Sequence, residues 1–302
     1  MSSALSSVRF YCLLFLTMAS VGLTSAADWW GAIDSNFQTE DNWRNDRHPD
    51  AAVPTIGATN KTGLVIQNGG DSPLVYQAAD GETDFSGQLL VGQNGGSAGE
   101  LQITGGTLTV NMDGTWAAIV GQTVEGRLKI SGGELILKAG MQSRVPSEAD
   151  ARWGLIIGNE DRGSGVVEVR GGILNVEGGI WLGRHSAAGS LVIGGSGVVT
   201  CDGPLLFSAG NEVQRVDLSP GSGVLRLTGE ASMIFQEDQD RLAGYVDFIK
   251  GSQGSLAFKG RDKAFFDKLV ADGRIRVDGA VVDPSAFGFR HDGEFGVYSL
   301  NR

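Results

Sequence analysis

Residues 99–110 read GELQITGGTLTV, and the same line returns as GRLKISGGELIL at 126–137, as GVVEVRGGILNV at 165–176 and, more loosely, as GSLVIGGSGVVT at 189–200. Apolar and polar residues alternate within each copy, as Leu101, Ile103, Leu108 and Val110 do in the first. A period of two is the signature of a strand with one buried face. The Gly pairs at 105–106, 132–133 and 171–172 interrupt the alternation where the chain must bend, and Gly takes a positive φ without a Cβ clash. Each copy, preceded by a short apolar segment ending in Gly, is therefore one coil of strand, turn, strand, Gly corner and strand. A single coil cannot bury its own inward residues, whereas stacked coils share a continuous interior. The copies start 27, 39 and 24 residues apart, which suits a solenoid that admits loop insertions better than a closed propeller. The sequence predicts an all-β chain folded as a single-stranded parallel β-helix, or β-solenoid, with Leu101, Leu128, Val167 and Leu191 on equivalent inward rungs.

Stacking in register makes further demands on the outward positions. Glu100 would neighbour Arg127, and Lys129 would neighbour Glu168, pairs worth a few tenths of a kcal/mol each. The residue after the first-strand Gly is Gln93, Gln122, Asn159 and Arg184 in successive copies, a column that suits an amide ladder.

The whole chain divides into four parts. Residues 1–26 hold one basic residue, Arg9, then the apolar run Phe10 to Leu16 and a small-residue stretch ending at Ala26, the pattern of a secretory signal too short for a stable membrane anchor. Residues 27–87 form an N-terminal cap and first strands, 88–215 the regular coils, and 216–302 degenerate coils and a C-terminal cap. In the N-terminal part Trp29, Trp30, Phe37 and Trp43 cover the exposed end of the stack, a need every solenoid has, or present an aromatic platform to sugar rings. Near the other end RDKAFFDKLVADG sets Phe265, Phe266, Leu269 and Val270 on one helical face with Gly273 as C-cap, and this single short helix closes the stack. The longest insertion, 138–152, carries Arg144 and Arg152 on a surface loop of the kind that binds ligands when a scaffold holds it.

The full chain has a formal net charge of −11, and loss of Arg9 with the leader leaves −12 on about 276 residues. That acidity argues against nucleic acid or an anionic membrane surface as partner, and no transmembrane segment is expected in the mature chain. Cys201 is the only cysteine beyond the leader and reads as a small buried hydrophobe. No zinc-ligand spacing, phosphate-binding Gly loop, nucleophile elbow or Asp-bearing calcium repeat is found, so no cofactor and no metal is expected. The best polar constellation is Asn159, Glu160, Asp161 and Arg162 with Arg184 and His185 one coil later, which stacking would bring to one edge. Carboxylates beside Arg and His are what a polysaccharide lyase or hydrolase would need.

Trp30-Gly31, Asn36-Phe37, Asn42-Trp43 and Pro54, followed by the Gly-rich coils and by GYVDFIKGSQGSLAFKG, a short helix and ADGRIRVDG, resemble the secreted β-helix proteins related to the autotransporter-associated β-strand repeat, often found with PEP-CTERM sorting tails. The resemblance implies a parallel β-helix, export, and a surface or matrix role, and its motifs carry no catalytic residues. This chain ends at FGVYSLNR, with neither a sorting tail nor a membrane barrel, so non-covalent retention or free secretion is the expectation. The functional expectation is a secreted, non-enzymatic module, structural, adhesive or polysaccharide-binding, at the cell surface or in the extracellular matrix. Its candidate ligand contacts are Trp29, Trp30, Trp43, Arg144, Arg152 and Asn159. The alternative is a carbohydrate-active enzyme using Glu160, Asp161, Arg184 and His185, and self-association through a free strand edge is a third possibility.

Overall fold

Alternating side chains with Gly at the corners give the backbone one economical solution, short strands stacked parallel so that every amide finds its partner in the coil above or below. The computed structural model describes residues 27–29, 35–38, 43–44, 64–66, 73–93, 98–115, 117–138, 140–142, 151–209, 212, 214–229, 233–236 and 243–301. The expected leader, Trp30 and Arg144 lie outside the described residues. The described residues form a β-solenoid of about seven parallel turns with a single α-helix among them.

β1 (Ala27–Trp29) and β2 (Trp43–Arg44) form an antiparallel pair, and β1 runs parallel to β3 (Leu64–Ile66) of the first coil. That coil continues as β4 (Leu74–Tyr76) and β5 (Glu82–Ser86). The second and third coils are β6 (Leu89–Val91) with β7 (Gly99–Asn111), and β8 (Ala118–Val120) with β9 (Glu125–Lys138). β10 (Met141–Gln142) precedes the fourth coil, which comprises β11 (Arg152–Ile157), β12 (Ser164–Val169) and β13 (Ile173–Val176). The fifth is β14 (Gly179–Leu182), β15 (Ala188–Gly195) and β16 (Val198–Cys201). The sixth is β17 (Leu205–Phe207), β18 (Gln214–Gly221) and β19 (Val224–Leu227). The seventh is β20 (Met233–Phe235), β21 (Gly244–Phe248) and β22 (Ser255–Lys259).

Each coil contributes to three faces. Face A stacks β3, β6, β8, β11, β14, β17 and β20; face B stacks β4, β12, β15, β18 and β21 with the first halves of β7 and β9; face C stacks β5, β13, β16, β19 and β22 with their second halves. Leu101, Leu128, Val167 and Leu191 are direct partners in consecutive strands of face B and are fully buried, as the repeat predicts. Leu108, Leu135, Leu174, Val199, Leu225 and Leu256 make the matching column on face C. Cys201 lies fully buried within that face, and burial pushes its thiol well above the ordinary range, which fits its reading as a core residue.

The glycines have two separate jobs. Gly106 and Gly133 turn the corner from face B to face C at φ of 72° and 69°. In the fourth coil neither Gly171 nor Gly172 has a positive φ; Gly172 is required by space, since a Cβ there would lie 2.6 Å from Ile130 Cγ2 and 2.7 Å from the Gly133 carbonyl. The expected outward pairs are in register, Glu100 opposite Arg127 and Lys129 opposite Glu168. The ion pairs nevertheless form elsewhere, because long side chains reach diagonally or along their own strand: Lys129 Nζ lies 2.8 Å from Glu100, and Arg127 Nε 2.5 Å from Glu125. Burial raises the Glu100 carboxyl, but the Lys129 and Gln102 hydrogen bonds outweigh it and hold its pKa below the ordinary value.

Face A departs from the alternation. Its outward residues are apolar as well, and Leu90, Ile119, Ile156, Trp181 and Leu206 form a second buried cluster with Ala117 and Trp153. The 138–152 insertion supplies part of the cover. β10 pairs antiparallel with β11, and Met141 and Ala151 pack on this cluster while Trp153 sits 5.1 Å from Trp181.

At the C-terminal end the parallel order stops. α1 (Lys263–Ala271) is capped by Asp262, whose side chain accepts from the Phe265 amide, and Gly273 follows its last turn at φ 68°. β23 (Ile275–Val277) extends face B, and β24 (Phe287–Asp292) and β25 (Phe295–Leu300) form an antiparallel hairpin on β22. Phe266 stacks on Tyr298 at 4.8 Å, Tyr298 on Phe287 at 4.8 Å, and the Tyr298 hydroxyl donates to Asp267. At the other end Phe37 is buried edge-on against Tyr76 at 5.3 Å, the part of the aromatic cover that falls among the residues whose side chains are described. Replacing Leu128 by Ala should cost about 2–5 kcal/mol of stability, whereas Arg127→Ala should cost less than about 1 kcal/mol. Urea denaturation midpoints of the two variants measure the difference, and equal losses would contradict the shared interior.

Candidate functional site

The turns that lead from face A to face B are built from a repeated backbone device. Four of the face A strands, β6, β8, β11 and β14, are followed by a Gly at positive φ, Gly92, Gly121, Gly158 and Gly183, and each of these packs against the Gly at the start of the following face B strand. A Cβ on Gly126 would fall 2.2 Å from the Gly121 nitrogen and from the Val91 carbonyl, so the two chains touch backbone to backbone. The next residues, Gln122, Asn159 and Arg184, stack through main-chain hydrogen bonds to Gly92, Gly121 and Gly158 of the preceding coil. The expected side-chain amide ladder does not form: the main chains of this column are bonded from coil to coil, but the side chains make no continuous series. Asn159, buried, accepts from Arg184 Nη1 at 3.0 Å, while Gln122 Oε1 is buried without a hydrogen-bond partner.

One position further along, the stacked turns open outward. Thr123 from the third coil, Glu160, Asp161 and Arg162 from the fourth, and His185 from the fifth line an open depression of about 580 Å³. Glu160, Asp161, Arg162 and His185 are all exposed. His185 is held with φ 51°, in the left-handed region that non-Gly residues rarely adopt, within the turn Arg184–Ser186. Stacking therefore does bring Glu160, Asp161 and His185 to one edge, as the sequence implies.

Arg184 behaves differently from its sequence reading. Its guanidinium turns back along the stack, bonded to Asn159 and lying 5.2 Å from the Trp181 ring, and it does not line the depression. Burial pulls its pKa below the ordinary guanidinium value, against an opposing pull from Glu160. The physical reason is the apolar outer surface of face A, where Trp181 offers a planar cation its ring. Asn159 is likewise a structural partner rather than an exposed ligand contact. Arg152 is exposed but begins β11, whereas the depression lies beyond the opposite end of that strand. Trp29 and Trp43 are cross-strand partners in β1 and β2.

A further charged assembly lies on the outer surface of face B and is absent from the sequence reading. Asp217 and Asp247 are direct neighbours in β18 and β21, 6% and 2% exposed, and Arg276 follows as the next neighbour of Asp247 in β23. Arg215 Nε forms an ion pair with Asp217 at 2.8 Å, and Asp247 accepts from the Gly279 amide at 3.0 Å. Arg276 donates to the carbonyls of Gly273 and Gly279 and lies 4.4 Å from the Tyr245 ring. The sequence signal was present as an Asp flanked by inward apolar residues, Val216-Asp217-Leu218 and Val246-Asp247-Phe248.

Among the described residues no group of three or more potential metal ligands is found, and no helix is long and apolar enough to cross a membrane. The fold and edge geometry define a β-solenoid carrying polar turn residues along one corner. Comparison with protein-family models, with curated proteins and with solved structures finds no match.

Burial raises the Asp217 carboxyl to about 6, Arg215 opposes the shift, and Asp247 adds to it. A folded-state pKa above the unfolded value means that the native state binds the proton more tightly. This group's contribution is therefore present below about pH 4, near its unfolded value, and is lost as the pH rises through about 6. Asp217→Asn should flatten the stability profile between pH 4 and 7, with its largest gain relative to the parent near pH 7. Thermal unfolding across that range would show it, and an unchanged slope would refute the assignment.

Proposed function

We propose that this is an exported, non-enzymatic β-helix protein that holds polysaccharide at the cell surface or in the extracellular matrix. The observation that carries the reading is the open depression formed by turns of three successive coils, Thr123, Glu160–Arg162 and His185. Hydroxyl, carboxylate, guanidinium and imidazole groups there can donate to and accept from sugar hydroxyls. They sit on a scaffold whose backbone contacts at Gly121, Gly158 and Gly183 hold the turns in place. The resemblance to secreted β-helix repeat proteins and the leader-like first 26 residues support export on the same reading.

The enzymatic alternative draws on Glu160, Asp161 and His185 sharing one depression. It asks for Arg184 as a fourth functional group, and that guanidinium is engaged by Asn159 and Trp181. Self-association through strand edges has a weaker basis at the C-terminal hairpin. There β24 carries the exposed charges Arg290, His291 and Asp292, the kind that discourage edge pairing.

The test is incubation of the secreted protein with a panel of neutral and acidic polysaccharides, following both retention and the appearance of new chain ends. Retention without new ends is expected, and the double variant Asp161→Asn/His185→Ala should weaken it roughly tenfold. New unsaturated or reducing ends would instead establish the enzyme, and absence of retention would remove the polysaccharide reading.

A further inference from the structure

Beyond the first depression, the same corner of the solenoid carries a second concavity. It measures about 340 Å³ and is lined by Ser164 and Val166 of the fourth coil, Ser190 of the fifth, Glu212 and Arg215 of the sixth, and Tyr245 of the seventh. Its origin lies in side-chain size along one outward column of face B. Arg127, Val166, Ser190, Arg215 and Tyr245 are consecutive partners, so small residues on two adjoining rungs lie between large ones. The floor is glycine, Gly165 and Gly189, at the backbone-to-backbone contacts already described.

The groove is also braced from below. In the sixth coil Gln214 occupies the column that holds Gly126, Gly165 and Gly189 in earlier coils. Its side chain, fully buried, accepts from the Gly189 amide at 2.7 Å and donates to the carbonyls of Ala187 at 3.0 Å and Glu212 at 2.9 Å. One buried amide thus ties floor and rim together. Arg215 is half-exposed, its Nε lies 2.8 Å from Asp217 Oδ1 as an ion pair, and Tyr245 is its direct neighbour on the next strand. Tyr245 is in turn positioned by Arg276 against its ring.

A guanidinium anchored through Nε keeps its terminal amino groups for a planar two-oxygen acceptor, and Arg recognises carboxylates in that manner. A half-buried tyrosine beside it supplies an amphipathic surface to a sugar ring. Serine hydroxyls on the floor can meet ring hydroxyls. The two concavities share their connecting segments: Arg162 precedes Ser164 by two residues, and His185 precedes Ala188 by three. Together they span the third to the seventh coil, four strand spacings or about 19 Å along the stack.

We infer that Arg215 and Tyr245 form a hexuronate subsite at one end of an extended track, so that the polysaccharide held here is an acidic one running along the solenoid corner. This rests on the polysaccharide-binding reading and narrows its ligand. Asp217 acts as a positioning residue for Arg215.

The experiment compares an oligoglucuronate with a neutral xylo-oligosaccharide of equal length, by calorimetric titration of the full secreted chain. Arg215→Ala should weaken the oligoglucuronate roughly tenfold or more and leave the neutral chain within about twofold. Arg215→Lys, which keeps the charge and loses the fork, should recover only part of the affinity. Thermal unfolding of each variant separates a binding loss from a folding loss: Arg215→Ala leaves the buried Asp217 carboxylate without its ion-pair partner and should lower the midpoint, Arg215→Lys should lower it less, and all titrations are run well below the lowest midpoint. Equal effects of Arg215→Ala on both chains, or none on the acidic one while Asp161→Asn/His185→Ala still weakens both, would overturn the subsite and leave polysaccharide binding intact. Failure of the parent protein to bind either chain would overturn the subsite and the broader reading together.

Discussion

The structure depends on backbone hydrogen bonds that pass from one coil to the next in strict parallel register. Register decides which side chains meet: a one-residue slip of β12 along β9 would turn Val167 outward and bring Val166 and Glu168 inward. The interior columns on faces B and C penalise that slip at every rung. The glycines on the corner between faces A and B add a second constraint, because main chains in contact leave no room for a shifted side chain. Together these fix the positions of the outward residues without any of them contributing much to stability. The polar corner can accordingly be occupied by side chains chosen for what they contact.

Much of this was legible in the residues. The alternation in GELQITGGTLTV and its relatives gives the strand period, the inward column and the coil boundaries, and equal distances from the face A glycine place Glu160 and His185 on one edge, with Asp161 the next residue along. Face A was harder to read because its strands are three or so residues of unbroken hydrophobicity, such as LLV and AIV. Such runs have no period, so nothing in them announces that both surfaces are covered. That hidden surface is also why Arg184 turned away from its neighbours: Trp181 points outward in a strand where a polar residue would have been the ordinary expectation. The Asp217–Asp247 pair was obscured by distance, since the two strands are separated by a stretch where the repeat has decayed.

The two ends are closed by different means. At the C-terminal end an α-helix and an antiparallel hairpin bring Phe258, Phe266, Phe287 and Tyr298 over the last coil, so the parallel order is stopped by a change of strand direction and by aromatic mass. Burial and the bonded Asp267 carboxylate both push the Tyr298 phenol well above its ordinary value, keeping it a neutral donor inside that cluster. At the N-terminal end the short antiparallel pair β1–β2 and the buried Phe37 take the corresponding place. The C-terminal closure meets the polar corner at its last coil, where Arg276 of β23 lies against the Tyr245 ring.

Because each coil contacts only those beside it, the number of coils acts as a ruler. Adding or removing one would lengthen or shorten the molecule by about 4.8 Å and leave the remaining rungs undisturbed. A ligand whose own repeat is close to that rise could then be matched step for step, with reach set by counting rather than by reshaping any single surface.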